Sequence, residues 1–123
     1  MSQQFKQKTK GELEAEFTKE IVRFEKEYLG RGPVDARTFL INDLVLVRLR
    51  GVLTPAEEKL AETQEGRSLV KDARRQLFET SRPILATFVQ QILEAELVDL
   101  FSDISTDTGE RVIVLTVNRD FGK

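Results

Sequence analysis

The sequence predicts an α+β fold, with helices packed on a four-stranded antiparallel sheet in the order α-β-β-α-α-β-β. Three observations carry this. Apolar residues recur at helical spacing near the N-terminus, two pairs of apolar runs are joined by turn residues, and a clear helix start lies between the pairs.

Residues 1–9 are polar and are expected to form a flexible tail, with residues 10–120 as a single domain. Leu13, Phe17, Ile21, Phe24 and Tyr28 form an apolar stripe, and Glu and Lys fill the opposite face. This helix ends at Gly30, which suits a left-handed cap. Arg31-Gly32-Pro33 then makes a stiff connection, because Pro33 forbids continued helix.

Two strands follow, at about 36–41 and 44–50, turning at Asn42-Asp43. Thr54-Pro55-Ala56-Glu57 is the next helix start. Thr54 caps, Pro55 takes the first helical position, and Glu57 completes a capping box. The short helix ends near Thr63–Gly66. A longer helix is expected over about 67–94, with a kink or restart at Ser81-Arg82-Pro83. Leu97–Ile104 and Val112–Asn118 are the last two strands, joined by a turn at Thr106–Gly109.

On a helical wheel the long segment gathers Leu69, Val70, Ala73, Leu77, Ile84 and Phe88 on one side. Arg67, Lys71, Arg74, Arg75 and Arg82 gather on another, with Phe78 among them. After Pro83 the opposite side also turns apolar, through Leu85, Val89, Ile92 and Leu93. The strands are apolar on both faces too: Val45, Val47 and Leu49 oppose Leu44 and Leu46, and Ile113, Leu115 and Val117 oppose Val112 and Val114. Two arrangements would cover both faces. The N-terminal helix could cover one and the long helix the other, or a homodimer could bury the second face. Leu85, Val89, Ile92 and Leu93 are the candidate dimer-interface residues.

The 123-residue chain has 40% apolar and 33% charged residues, no Cys, no His and a net charge of −2. This composition is globular, and its near-balanced charge does not draw it toward nucleic acid. Thiolate nucleophiles, imidazole bases, Cys/His zinc sites and disulfides are excluded by residue type. No apolar stretch approaches a membrane span and no signal peptide is recognisable, so a cytoplasmic protein is expected. No metal or cofactor site is expected.

Three constellations are candidates for function. In the first, Arg31, Gly32 and Arg37, joined by Arg48, would hold a small anion or nucleotide at the glycine-rich loop. Its plainer reading is a helix cap and turn, and Pro33 removes one donor. In the second, Arg67, Lys71, Arg74, Arg75, Phe78 and Arg82 form a basic stripe suited to a protein partner; it is short for single-stranded nucleic acid, and Asp72 and Glu79 dilute it. In the third, Asp99, Asp103, Asp107 and Glu110 lie near the last turn without the spacing of a calcium loop. A carboxylate-pair enzyme remains open on residue type, but no spacing picks out a pair.

Tyr28-Leu29-Gly30-Arg31-Gly32-Pro33 is followed by Arg37-Thr38-Phe39, Asn42-Asp43-Leu44, and the block from Arg48 through Glu57. Glu65-Gly66-Arg67 and Asp103-Ile104-Ser105 complete the pattern. Over about residues 10–118 it resembles the MpsC-like family, whose name refers to a sodium-translocating, membrane-potential-generating system linked with bicarbonate uptake. The GRGP element and the L-T-x-x-E block are specific together and weak singly. The resemblance implies a soluble bacterial accessory or regulatory protein, in the context of inorganic-carbon or ion transport, and carries over no catalytic residue. It also leads one to expect a glycine after the long helix, where this chain has Glu94-Ala95-Glu96.

Overall fold

The computed structural model describes residues 7–123. Its elements run α1 (Lys10–Leu29), β1 (Asp35–Ile41), β2 (Leu44–Arg50), α2 (Pro55–Leu60), α3 (Gln64–Thr80), α4 (Arg82–Leu93), β3 (Leu97–Ile104) and β4 (Arg111–Val117). The strands form one antiparallel sheet in the order β1-β2-β4-β3. The α+β architecture is the expected one.

Local chemistry sets the element ends. Thr9 caps α1 through a capping box with Glu12, so the end of the expected tail is part of the helix start. The rest of that tail, residues 1–6, lies outside the described residues. Thr54 and Glu57 form the expected box on α2, and Gly30 takes the left-handed cap at φ 88°. The restart offered at Ser81 is a true break. Ser81 ends α3 and begins α4, and its carbonyl accepts from the N–H groups of Ile84 and Leu85. Pro83, with no N–H to donate, fits the first turn of the new helix.

All the large helices lie on one face of the sheet. Leu13, Phe17 and Ile21 of α1, Val70 and Phe78 of α3, and Leu85, Val89 and Leu93 of α4 share one core with Val45, Val47, Leu49, Ile113, Leu115 and Val117. This corrects the arrangement with a helix on each face. It also corrects the dimer-interface assignment. Leu85, Val89 and Leu93 are fully buried inside the chain, and Ile92 is half-buried against the same core. The physical reason is that α4 lies against both α1 and the sheet, so two of its sides are covered from within. Phe24 of α1 meets Phe88 of α4 edge to face, with ring centroids 6.3 Å apart.

The rotation of α3 is likewise not the one the wheel suggests. Its buried residues are Gly66, Val70, Arg74 and Phe78, while Leu69 and Leu77 are 59% and 45% exposed. A guanidinium occupies the core side, because partners for it wait there.

Candidate functional site

Three charged side chains sit in phase with apolar stripes. Glu25 continues Leu13-Phe17-Ile21 on α1, Arg74 lies between Val70 and Phe78 on α3, and Arg111 leads Ile113-Leu115-Val117 on β4. They meet in the interior. Arg111 Nη1 donates to Glu25 Oε2 at 2.9 Å, and its guanidinium stacks 4.7 Å from the Phe78 ring centroid. Arg74 grips Glu57 of α2 with two hydrogen bonds of 2.7 and 2.6 Å and donates to the Val52 carbonyl at 2.8 Å. Arg74 Nη1 lies 3.6 Å from Glu25 Oε1, and these two buried atoms have no hydrogen-bond partner. Two carboxylates thus balance two guanidiniums.

The pKa directions follow from this setting. Burial pushes the Glu25 carboxyl up, against the opposing pull of Arg111 and Arg74. Burial also pushes Glu57 up, but hydrogen bonds from Arg74 and the Thr54 amide, with the Arg74 charge, hold it below the ordinary carboxylate range. Burial draws the Arg111 guanidinium down, although Glu25 supports its charge.

Above this cluster a cleft of about 570 Å³ opens between α3 and β3. It gathers five of the six residues of the predicted basic stripe, in unlike roles. Arg74 and Phe78 are buried in its wall, which corrects their assignment to an exposed docking face. Lys71, Arg75 and Arg82 stand at the rim, where Arg75 pairs with Asp72 at 3.4 Å and Lys71 with Asp103 at 3.7 Å. Arg67 turns away, donating to the Ala61 carbonyl at 3.0 Å.

The anion candidates are not gathered at one site. Arg31 donates to the Leu53 carbonyl at 2.9 Å and lies 3.7 Å from Glu58. The hollow holding Arg31 is lined also by Glu58, Glu62 and Asp107, and by neither Arg37 nor Arg48. Gly32 is not among the positive-φ glycines, and the loop serves as cap and turn. Arg37 and Arg48 are neighbours across β1 and β2 on the outer face, and Arg48 forms a two-bond pair with Glu110 at 3.0 Å. Of the acidic run, Asp99 and Asp103 accept from the backbone N–H of their following residues. Among the described residues no group of three or more acids is placed to hold a metal ion.

The sheet face away from the helices is the larger feature. The strand register builds three rows across it, from β1 to β3: Arg37-Arg48-Val112-Asp103, Phe39-Leu46-Val114-Phe101 and Ile41-Leu44-Thr116-Asp99. Its middle is apolar and uncovered. Phe101 is 55% exposed, and Phe39, Ile41 and Leu44 are exposed as well. The sequence showed the two-sided apolar strands, and the structure shows which side is bare.

Residues 9–119 match the family described as the Na+-translocating membrane potential-generating system (MpsC). The chain belongs to this family. Among relatives, it is 37% identical to an uncharacterized protein, YbcI, of Bacillus subtilis, over 94% of each chain. It is 32% identical to a second uncharacterized B. subtilis protein, YrhF, over 85% of this chain and 86% of that one. No solved structure matches the chain. Among the described residues of this family member, no helix is long and apolar enough to cross a membrane.

Proposed function

We propose that this member of the MpsC family is a non-catalytic accessory or regulatory module that works as a homodimer in the cytoplasm, assembled through its bare sheet face, and supports ion or inorganic-carbon transport. The carrying observation is that face: a four-stranded surface with Phe39, Leu46, Val114 and Phe101 in one row and, among the described residues, no helix on it. Antiparallel sheets commonly leave one face to solvent, but such a face then alternates to polar residues. Here the alternation fails in the centre and returns only at the corners, through Arg37, Arg48, Asp99 and Asp103. An apolar centre with a charged margin is how a protein interface is composed.

The chemistry of the cleft favours the same reading. Its buried guanidiniums are engaged by Glu25 and Glu57, so they stitch α1, α2, α3 and β4 together. An open four-stranded sheet and helices too short or polar to span fit a supporting subunit better than the ion path itself. The test is Leu46→Lys, which puts a charge at the centre of the face without touching the core. Sedimentation velocity should show wild-type dimer and mutant monomer at equal urea stability. Unchanged association in the mutant refutes the face as the assembly surface.

A further inference from the structure

We infer that the two copies stack with their strands aligned, the two-fold axis running along the strand direction between the sheets, so that β1 of one copy lies over β3 of the other. This rests on the reading above that the bare face is the assembly surface.

Edge-to-edge growth of the sheet is opposed on both sides, which favours the face. On the β1 edge, the Leu40 N–H donates to Glu14 of α1 at 2.8 Å, and Thr18 bonds Thr38 at 2.7 Å. On the β3 edge, Asp99 and Asp103 accept from the N–H groups of Leu100 and Ile104, both at 2.8 Å, and Arg82 donates to the Val98 carbonyl at 3.4 Å. The N–H groups of Leu40, Leu100 and Ile104 and the Val98 carbonyl are thus engaged within the chain, so an added strand would find part of each edge taken. Acidic side chains on the β3 edge would also be crowded by such a strand.

Charge then selects between the two ways of stacking the faces. The first row carries Arg37 at β1 and Asp103 at β3, with Arg48 between them engaged by Glu110, and the third row ends in Asp99 at β3. An axis along the strands keeps each row level and reverses its order. Arg37 then faces the partner's Asp103, Phe39 the partner's Phe101, and Leu46 the partner's Val114, while Ile41 lies over the partner's Asp99 at the opposite margin. An axis across the strands would instead lay the acidic β3 over its own copy and set Arg37 against the partner's Ile41. Opposite charges at the margin specify register, and like charges in contact oppose the alternative. Aligned stacking is also one of the standard ways two sheets pack.

The face is small. Strand spacing and rise give it an outline of about 400 Å², below the ~800 Å² that each partner buries in a standard interface. A face this small fits a weak, reversible dimer.

The experiment uses two charge reversals at exposed positions, Arg37→Glu and Asp103→Arg, in the full chain. Each alone places like charges twice in its own homodimer, and each should weaken association about tenfold or more by sedimentation. Mixed in equal amounts they should recover wild-type association, because the heterodimer carries two opposite-charge pairs. A mixture as weak as its components, beside a dimeric wild type, overturns this geometry and leaves the assembly reading standing. A monomeric wild type overturns both.

Discussion

Removing one buried charge should cost more than removing two. Glu25, Glu57, Arg74 and Arg111 form a balanced set. Glu25 is wholly buried, and the side chains of Arg74 and Arg111 are 4% and 2% exposed. Glu25→Leu leaves Arg111 without its 2.9 Å partner and the interior with one excess positive charge. Breaking a buried pair this way costs about 3–5 kcal/mol. A domain of this size holds about 5–15 kcal/mol in all, so the variant should lose about a fifth or more of its stability. Arg111→Met strands Glu25 in the same way and should cost a similar amount. The double variant leaves Arg74 bound by two hydrogen bonds to Glu57, a neutral remainder, so it should lie closer to wild type than either single one. Urea unfolding of the four proteins measures this. A loss under about 1 kcal/mol for Glu25→Leu, or a double variant as weak as the sum of the singles, would refute the balanced-cluster reasoning.

Three further outcomes follow from particular residues. Gly66→Ala should destabilise by roughly 1–3 kcal/mol or unfold the α2–α3 junction, because a Cβ there would stand 1.7 Å from the Leu60 carbonyl oxygen; calorimetry reads it. Glu94→Gly should stabilise by about 0.5–1 kcal/mol in urea, since Glu94 ends α4 in the left-handed region at φ 49°. The Glu57 contribution should depend on pH. Its folded pKa lies below the unfolded value, so its stabilisation is present above that value and is lost as pH falls through the folded one. Glu25 is shifted up, so its protonation offsets part of that loss. Glu57→Gln should therefore trail wild type at about pH 7, and the gap should narrow as pH is lowered below the ordinary carboxylate range, followed by urea unfolding across that range.

The fold was legible in the sequence where local rules act alone. The Thr54–Glu57 capping box, the Gly30 cap and alternating strands give elements without tertiary knowledge. The family resemblance was legible from blocks spread over nearly the whole chain, and the match to residues 9–119 bears it out. The rotation of α3 was not legible by sorting residues into apolar and charged, because Arg74 belongs to the core. The signal was nonetheless present: Glu25, Arg74 and Arg111 each fall in phase with an apolar stripe, and their charges are opposite. A charge in phase with a buried stripe calls for a partner in phase with another. The covering of α4 required knowing that α1 lies beside it. Once it does, Leu85, Val89 and Leu93 need no second copy, and the sheet face keeps exposed apolar surface at Phe39, Ile41, Leu44 and Phe101.

Sedimentation equilibrium of the wild-type chain across a micromolar range tests the central claim most directly. A reversible species of twice the 14.1 kDa chain mass is the predicted result. A single species of 14.1 kDa at every concentration, up to hundreds of micromolar, would contradict it.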